Sequence, residues 1–189
     1  MSVVMRPQVH PSRVALLSLS CAVAVCQALC EVTGLEARIK WPNDIVLGGK
    51  KVCGMLLEMN ADEERVHDVV AGIGINVHQK VFPEEIKRTA SSLDLAAGRT
   101  LLRADVVRAV LRQLEAAEEM RQAGTLMDRY RALSATLGQP VRVSGPAVEE
   151  FEGTAENVTE QGTLLIRAGD GLREVLAGDV SVRGLMGYV

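Results

Sequence analysis

The sequence predicts an α+β protein: a mixed or antiparallel sheet with helices on one side, followed by a small antiparallel β-barrel. Three observations carry that reading. Two long β-type runs, at 52–59 and 66–77, flank a polar turn. Two stretches with helical spacing, at 12–33 and 103–123, bracket them. From Gly138-Gln139-Pro140 onward the chain changes to short β-type runs broken by glycine turns. This change places one domain over 1–136 and a second over 137–189.

Composition supports a packed protein. The 189 residues are 48% apolar and 24% charged, which excludes disorder for the bulk of the chain. Aromatic residues make up 3%, too few for a stacking platform that grips single-stranded nucleic acid. The net charge of −3 offers no global basic field to a nucleic acid or a membrane surface, and neither partner is expected. The charge is uneven: residues 1–54 carry six Lys/Arg against three Asp/Glu, a basic third able to face an anionic ligand.

In chain order, 2–5 reads as a short strand. Pro11-Ser12 opens a helix that Gly34 closes. That helix is apolar nearly all round, like a signal-peptide core, but it is rich in Ala, Ser and Cys, and the expectation is burial inside the protein. Residues 38–40 and 45–47 are brief strands on either side of Trp41-Pro42-Asn43-Asp44, and Gly48-Gly49 supplies a hairpin turn. The two long strands follow. Residues 82–88 read as a short helix, 103–123 as an amphipathic one and 125–135 as another. The later β runs are 141–143, 148–158, 163–168, 172–176 and 179–183. Cys21, Cys26 and Cys30 lie in the apolar helix and Cys53 stands apart. Without a Cys-x-x-Cys pair they read as core residues of a protein kept in a reducing, cytoplasmic setting.

Three segments concentrate residues able to do chemistry. Lys40-Trp41-Pro42-Asn43-Asp44 crowds a cation, an amide and a carboxylate at a strand end. The lysine suits a phosphate, and Asn43 and Asp44 offer oxygens to magnesium or hydrogen bonds to a nucleotide. Gly49-Lys50-Lys51-Val52-Cys53-Gly54 aims two lysines at one place, although it is not a Walker A loop. Gly72-Ile73-Gly74-Ile75-Asn76 interrupts an apolar strand twice, as if something must lie against the backbone. The first segment alone also fits a capped turn, and the second a polar hairpin tip.

Together, in this order, they resemble the biotin protein ligase family. Its catalytic-core strings match Lys40–Asp44, the run from Gly49 to Glu58, and Gly72–Asn76. Ala90-Ser91-Ser92-Leu93 is similar to a further family segment, and the run from Gly178 to Arg183 resembles the close of its C-terminal domain. The resemblance implies a core like that of class II synthetases and an SH3-like second domain. It also implies ATP-dependent formation of biotinyl-5′-AMP and transfer of biotin to a lysine of a biotin carboxyl carrier domain. Biotin, ATP and Mg2+ are the implied ligands, with a homodimer left open.

Residue by residue, the resemblance implies catalytic roles for Lys51, Asp44 and Lys40. Lys51 would touch both the biotin carboxylate and the α-phosphate, and Asp44 would orient the acceptor lysine. Asn43, Trp41, Gly54, Gly72, Gly74, Asn76 and Arg183 would contact biotin or nucleotide, with Asn76 reading adenine. Asn43 and Asp44 would face magnesium. Family members carry a Gly-Arg-Gly-Arg-x-Gly-Arg loop ahead of the strand at 2–5, so biotin binding by this chain alone is expected to be weak. The competing expectations are a non-catalytic nucleotide-binding or assembly module and a lipoate-type ligase.

Overall fold

Ten strands and four α-helices are formed by residues 1–7, 9–146, 148–177 and 181–184, the part of the chain described by the computed structural model. The first unit runs β1 (Ser2–Met5), α1 (Val14–Thr33), β2 (Ala37–Lys40), β3 (Asp44–Leu47), β4 (Lys50–Ala61), β5 (Val66–Ile75), α2 (Leu93–Ala97), α3 (Arg103–Ala123) and α4 (Leu126–Leu133). The second contains β6 (Pro140–Gly145), β7 (Val148–Val158), β8 (Leu164–Ala168), β9 (Gly171–Val175) and β10 (Ser181–Gly184). The first sheet has the order β1-β5-β4-β3-β2 and the second β10-β6-β7-β8-β9. Every strand pairing in both is antiparallel.

Helix α1 occupies the centre. Ala22, Val23, Ala24, Val25, Cys26 and Ala28 are wholly buried, and their small side chains allow close packing on two sides. The helix lies against β2, β3 and β4 and is covered by α3 and α4. It is long and apolar enough to cross a membrane, yet the protein itself supplies its apolar surroundings. Gly34, at φ 74°, ends it by donating its amide to the Cys30 carbonyl at 2.9 Å. The hairpin from β3 to β4 turns on Gly48 and Gly49, both at positive φ, as a tight two-residue turn requires.

Two sequence expectations need correction. Residues 82–88 form no helix. Lys87 donates to the Pro83 carbonyl at 2.9 Å and Ala90 to the Ile86 carbonyl at 2.8 Å, but these remain turns, and the chain then bonds across to Lys51 through Thr89 and Ser91. Val81 and Ile86 stay exposed, so the segment has no buried face to stabilise a short helix. Conversely, the sequence pattern does not predict α2, although Ser92 caps it by accepting from the Leu95 amide and Gly98 at φ 64° closes it. The strand expected at 179–183 begins at Ser181, and Gly178, Asp179 and Val180 lie outside the described residues.

The four cysteines are free thiols, but their environments differ. Burial pushes Cys21 and Cys53 up to about 12. Its contact with Cys30, reinforced by burial, pushes Cys26 up as well. Cys30 is half-buried. The Cys26 thiol beside it, together with the Ala37 amide donating to its sulfur at 3.3 Å, brings it down to about 6. A thiolate is the reactive form. At pH 7 iodoacetamide should therefore label Cys30 first, with the other three reacting only on unfolding. Peptide mapping checks this, and equal labelling of Cys21 and Cys30 in the native protein would contradict it.

Candidate functional site

The site begins with a slip in strand register. Ile45 pairs with Cys53, but the next residue, Val46, pairs with Lys51, so β4 carries one extra residue. In an unbroken ladder Lys51 would lie opposite Leu47 and share the core face with Ile45. The bulge moves it to the face of Asp44 and Val46. There its Nζ meets Asp44 Oδ1 at 2.6 Å, with the two side chains 37% and 19% exposed.

The same face carries a row of residues across four strands. Lys40 pairs with Asp44, and Gly54 pairs with Gly74. A Cβ built on Gly54 would sit 3.3 Å from Asp44 Oδ1, which joins the two pairs. One end of the row is ionic and the other is bare backbone. A cavity of about 490 Å³ opens over the bare end, lined by Lys51, Cys53, Gly54, Gly74, Asn76, Ile86, Thr89 and Ala90. Cys53, Ile86 and Thr89 are absent from the residues expected there, because nothing in their types signals a ligand. Gly72 continues the face one row further, opposite Leu56.

The electrostatics favour an anion. Burial pushes the Lys40 amine below its ordinary range. Asp44 opposes that effect, and Lys51 and Arg183 add to it. Lys40 thus feels two other cations and one carboxylate, and an incoming negative group relieves the repulsion among the cations. Arg183 comes from β10, so the second unit contributes to a centre otherwise built by the first.

Asn76 sits where β5 ends. Its amide nitrogen donates to the Ser91 carbonyl at 3.1 Å, and its backbone is held by Val52 and Leu93. One side-chain N–H bond thus fixes the amide plane at the cavity wall. Asn43 is used differently: its nitrogen donates to Ser18 Oγ at 3.0 Å and to the Met55 carbonyl at 3.1 Å, tying the turn to α1 and β4. No group of three or more His, Cys, Asp or Glu able to hold a metal occurs among the described residues.

Trp41 is placed away from the cavity. It was expected beside the ligand, but it is 2% exposed. Its indole N–H donates to the Gly162 carbonyl at 3.2 Å, its amide donates to Thr136 Oγ1 at 2.9 Å, and the adjacent Pro42 carbonyl accepts from the Tyr130 hydroxyl at 2.8 Å. It pins the first unit to the second and does not reach the cavity.

Comparison with known proteins identifies the family. The Biotin/lipoate A/B protein ligase family matches residues 1–76, and the Biotin protein ligase C terminal domain matches residues 136–183. The biotin protein ligase from Aquifex aeolicus superposes with a TM-score of 0.85 at 30% identity, covering 97% of this chain and 80% of that one. The chain belongs to the biotin protein ligase family. The Bifunctional ligase/repressor BirA of Bacillus subtilis is 36% identical over 96% of this chain and 57% of its own length. The Biotin--[acetyl-CoA-carboxylase] ligase of Mycobacterium tuberculosis is 37% identical over 87% of this chain and 61% of its own length. The chain thus spans roughly three fifths of these two relatives.

The two roles considered for Trp41 are separable by experiment. Trp41→Phe removes the indole donor and leaves the Gly162 carbonyl unpaired at a buried seam. The expected loss in urea-unfolding free energy is about 1–2 kcal/mol, with nucleotide binding unchanged. Weakened nucleotide binding at unaltered stability would return Trp41 to the site.

Proposed function

We propose that these residues form the adenylating centre of an ATP-dependent biotin protein ligase. The row Lys40–Asp44–Gly54–Gly74 carries this reading, since a charged end beside bare backbone suits a ligand that is anionic at one end and slim and apolar at the other. A carboxylate oxygen of biotin attacks the α-phosphorus of ATP, and pyrophosphate leaves. An acceptor lysine then attacks the acyl carbon of biotinyl-5′-AMP, and AMP leaves. Lys51 neutralises the charge shared between carboxylate and α-phosphate, an effect strengthened where water is excluded. Lys40 and Arg183 extend the cationic field toward the phosphates. Asp44 orients the entering lysine and takes its proton. Were magnesium to accompany the triphosphate, Asp44 would be the protein carboxylate to hold it, and the ion would supply neutralisation of the phosphate charge.

Support comes from the solved relative that holds biotin and ATP, the Aquifex aeolicus ligase, superposed at a TM-score of 0.82 and 29% identity. The acceptor in this reading is the carrier domain of a biotin-dependent carboxylase, and the setting is the cytoplasm. Association into a homodimer is part of this reading. The deciding assay is biotin-dependent pyrophosphate release, followed by transfer of labelled biotin to a carrier domain, using the natural full-length polypeptide. ATP binding without biotin-dependent release would leave a nucleotide-binding module instead.

Two variants test the roles. Lys51→Ala should cut adenylate formation by two to three orders of magnitude, roughly 3–4 kcal/mol of transition-state stabilisation, while the fold survives. Pyrophosphate release within about tenfold of the parent would remove Lys51 from the chemistry. Asn76→Asp should weaken ATP binding by about 2–3 kcal/mol, because a carboxylate cannot donate to adenine and brings charge toward an anion. It also sets a carboxylate oxygen against the Ser91 carbonyl, so melting temperature should fall too. Calorimetric titration with ATP checks the first effect, and unchanged affinity would clear Asn76 of contact with the base.

A further inference from the structure

The wall of the cavity formed by Thr89 and Ala90 belongs to a segment with no secondary structure of its own, yet that segment is tied to both working strands. The Lys51 amide donates to the Thr89 carbonyl at 2.7 Å and the Ser91 amide to the Lys51 carbonyl at 2.9 Å. The Asn76 side chain reaches the Ser91 carbonyl. Further along, Leu93 donates to the Asn76 carbonyl at 2.8 Å and Asp94 to the Val77 carbonyl at 3.0 Å. Residues 89–94 thus set the backbone of Lys51 and the amide plane of Asn76 together.

One side-chain pair fastens this arrangement. His78 Nδ1 lies 2.8 Å from Asp94 Oδ2, and Asp94 Oδ1 accepts from the Leu101 amide at 2.9 Å. The carboxylate is only 14% exposed on its side chain, unlike the ion pairs on the helix surfaces. It links three places: the exit of β5, the first turn of α2 and the approach to α3. The His78 ring and then the Leu101 amide hold the Asp94 carboxyl below the usual carboxylate range, so it accepts both bonds and His78 Nδ1 carries the proton.

We propose that His78 and Asp94 are positioning residues for the nucleotide side of the site, a clamp that locks residues 89–94 against the end of β5 and so holds the Asn76 amide in place at the cavity wall. Neither side chain lines the cavity. Naming the ligand a nucleotide rests on the ligase reading above, whereas the clamp rests on the hydrogen bonds alone. With the clamp open, the Ser91 carbonyl drifts from Asn76 and the amide loses its fixed plane. Lys51 keeps its Asp44 partner, so the carboxylate end of the site is spared.

The test compares parent, His78→Ala and His78→Asn in the full chain. The Asn variant can place its amide nitrogen close to the position of Nδ1. Amide hydrogen exchange at Ser91 and Leu93 reads the clamp, and KM values for ATP and biotin read its consequence. His78→Ala should speed exchange at both amides by about tenfold and raise the ATP KM by about five- to tenfold, leaving the biotin KM within about twofold. His78→Asn should return both readouts to near the parent. Unchanged exchange in His78→Ala, an ATP KM within twofold of the parent, or failure of the Asn variant to restore it would overturn the proposal. A parent without biotin-dependent pyrophosphate release would instead sink the ligase reading. Exchange and direct ATP titration would then decide the clamp.

Discussion

A one-residue slip between β3 and β4 decides which side of the sheet Lys51 faces, and the site depends on it. Without the bulge the lysine would enter the core beside Ile45 and Leu47, where an unpaired cation is prohibitively costly. With it, the lysine lands on the open face, 2.6 Å from Asp44. The pair is partly exposed, so its direct contribution to stability is small. Its value lies in geometry: Asp44 holds the amine at a fixed height above Gly54, ready for an anion. The bulge is itself held by the segment around Ala90, which bridges Lys51 in parallel from the far side.

The second constraint is the seam. Trp41 and Tyr130 lock the turn after β2 from two directions, and Gly162 at φ 88° approaches α1 so closely that a Cβ would lie 2.7 Å from Leu19 Cδ1. This close fit is what brings Arg183 into the field of Lys40. The ordering is therefore from packing to charge: an indole and a glycine fix the second unit, and the second unit then supplies a cation to the first.

Much of this was legible in the sequence, for identifiable reasons. The helices at 14–33 and 103–123 announce themselves by period and by glycine stops, and the β3–β4 hairpin by Gly48-Gly49. The charged strings mark where chemistry gathers because Lys, Asn and Asp beside Pro and Gly are expensive unless used. The bulge was not legible, since Val52 and Cys53 are both apolar and fit either register. Trp41 misled because it sits inside a run of reactive residues, while its bond to Gly162 spans 121 positions. The helix expected at 82–88 lost to the backbone bonds that Thr89 and Ser91 make with Lys51, a tertiary contact that no local pattern encodes. His78 and Asp94 carry no spacing signal either, as they meet only when α2 docks on the end of β5.

The glycines of the open face have different reasons to be glycine. At Gly54 a Cβ would stand 3.0 Å from Lys51 Cε and Nζ, so the bare backbone is what lets the lysine fold back over β4 to Asp44. At Gly72 and Gly74 a Cβ would meet nothing closer than a carbonyl oxygen at 3.5 Å, an ordinary contact. The fold does not need those two to be glycine, and each weakens its strand by about 0.5–1 kcal/mol relative to alanine. Packing within the chain does not recover that cost. What an alanine would take away is free surface: Gly74 is exposed and lines the cavity beside Asn76, and Gly72 prolongs the same flat strip along β5. The emptiness of that strip is thus a property of the site and not of the sheet. It leaves an open strip of backbone along β5 that runs toward the Lys51 end of the cavity.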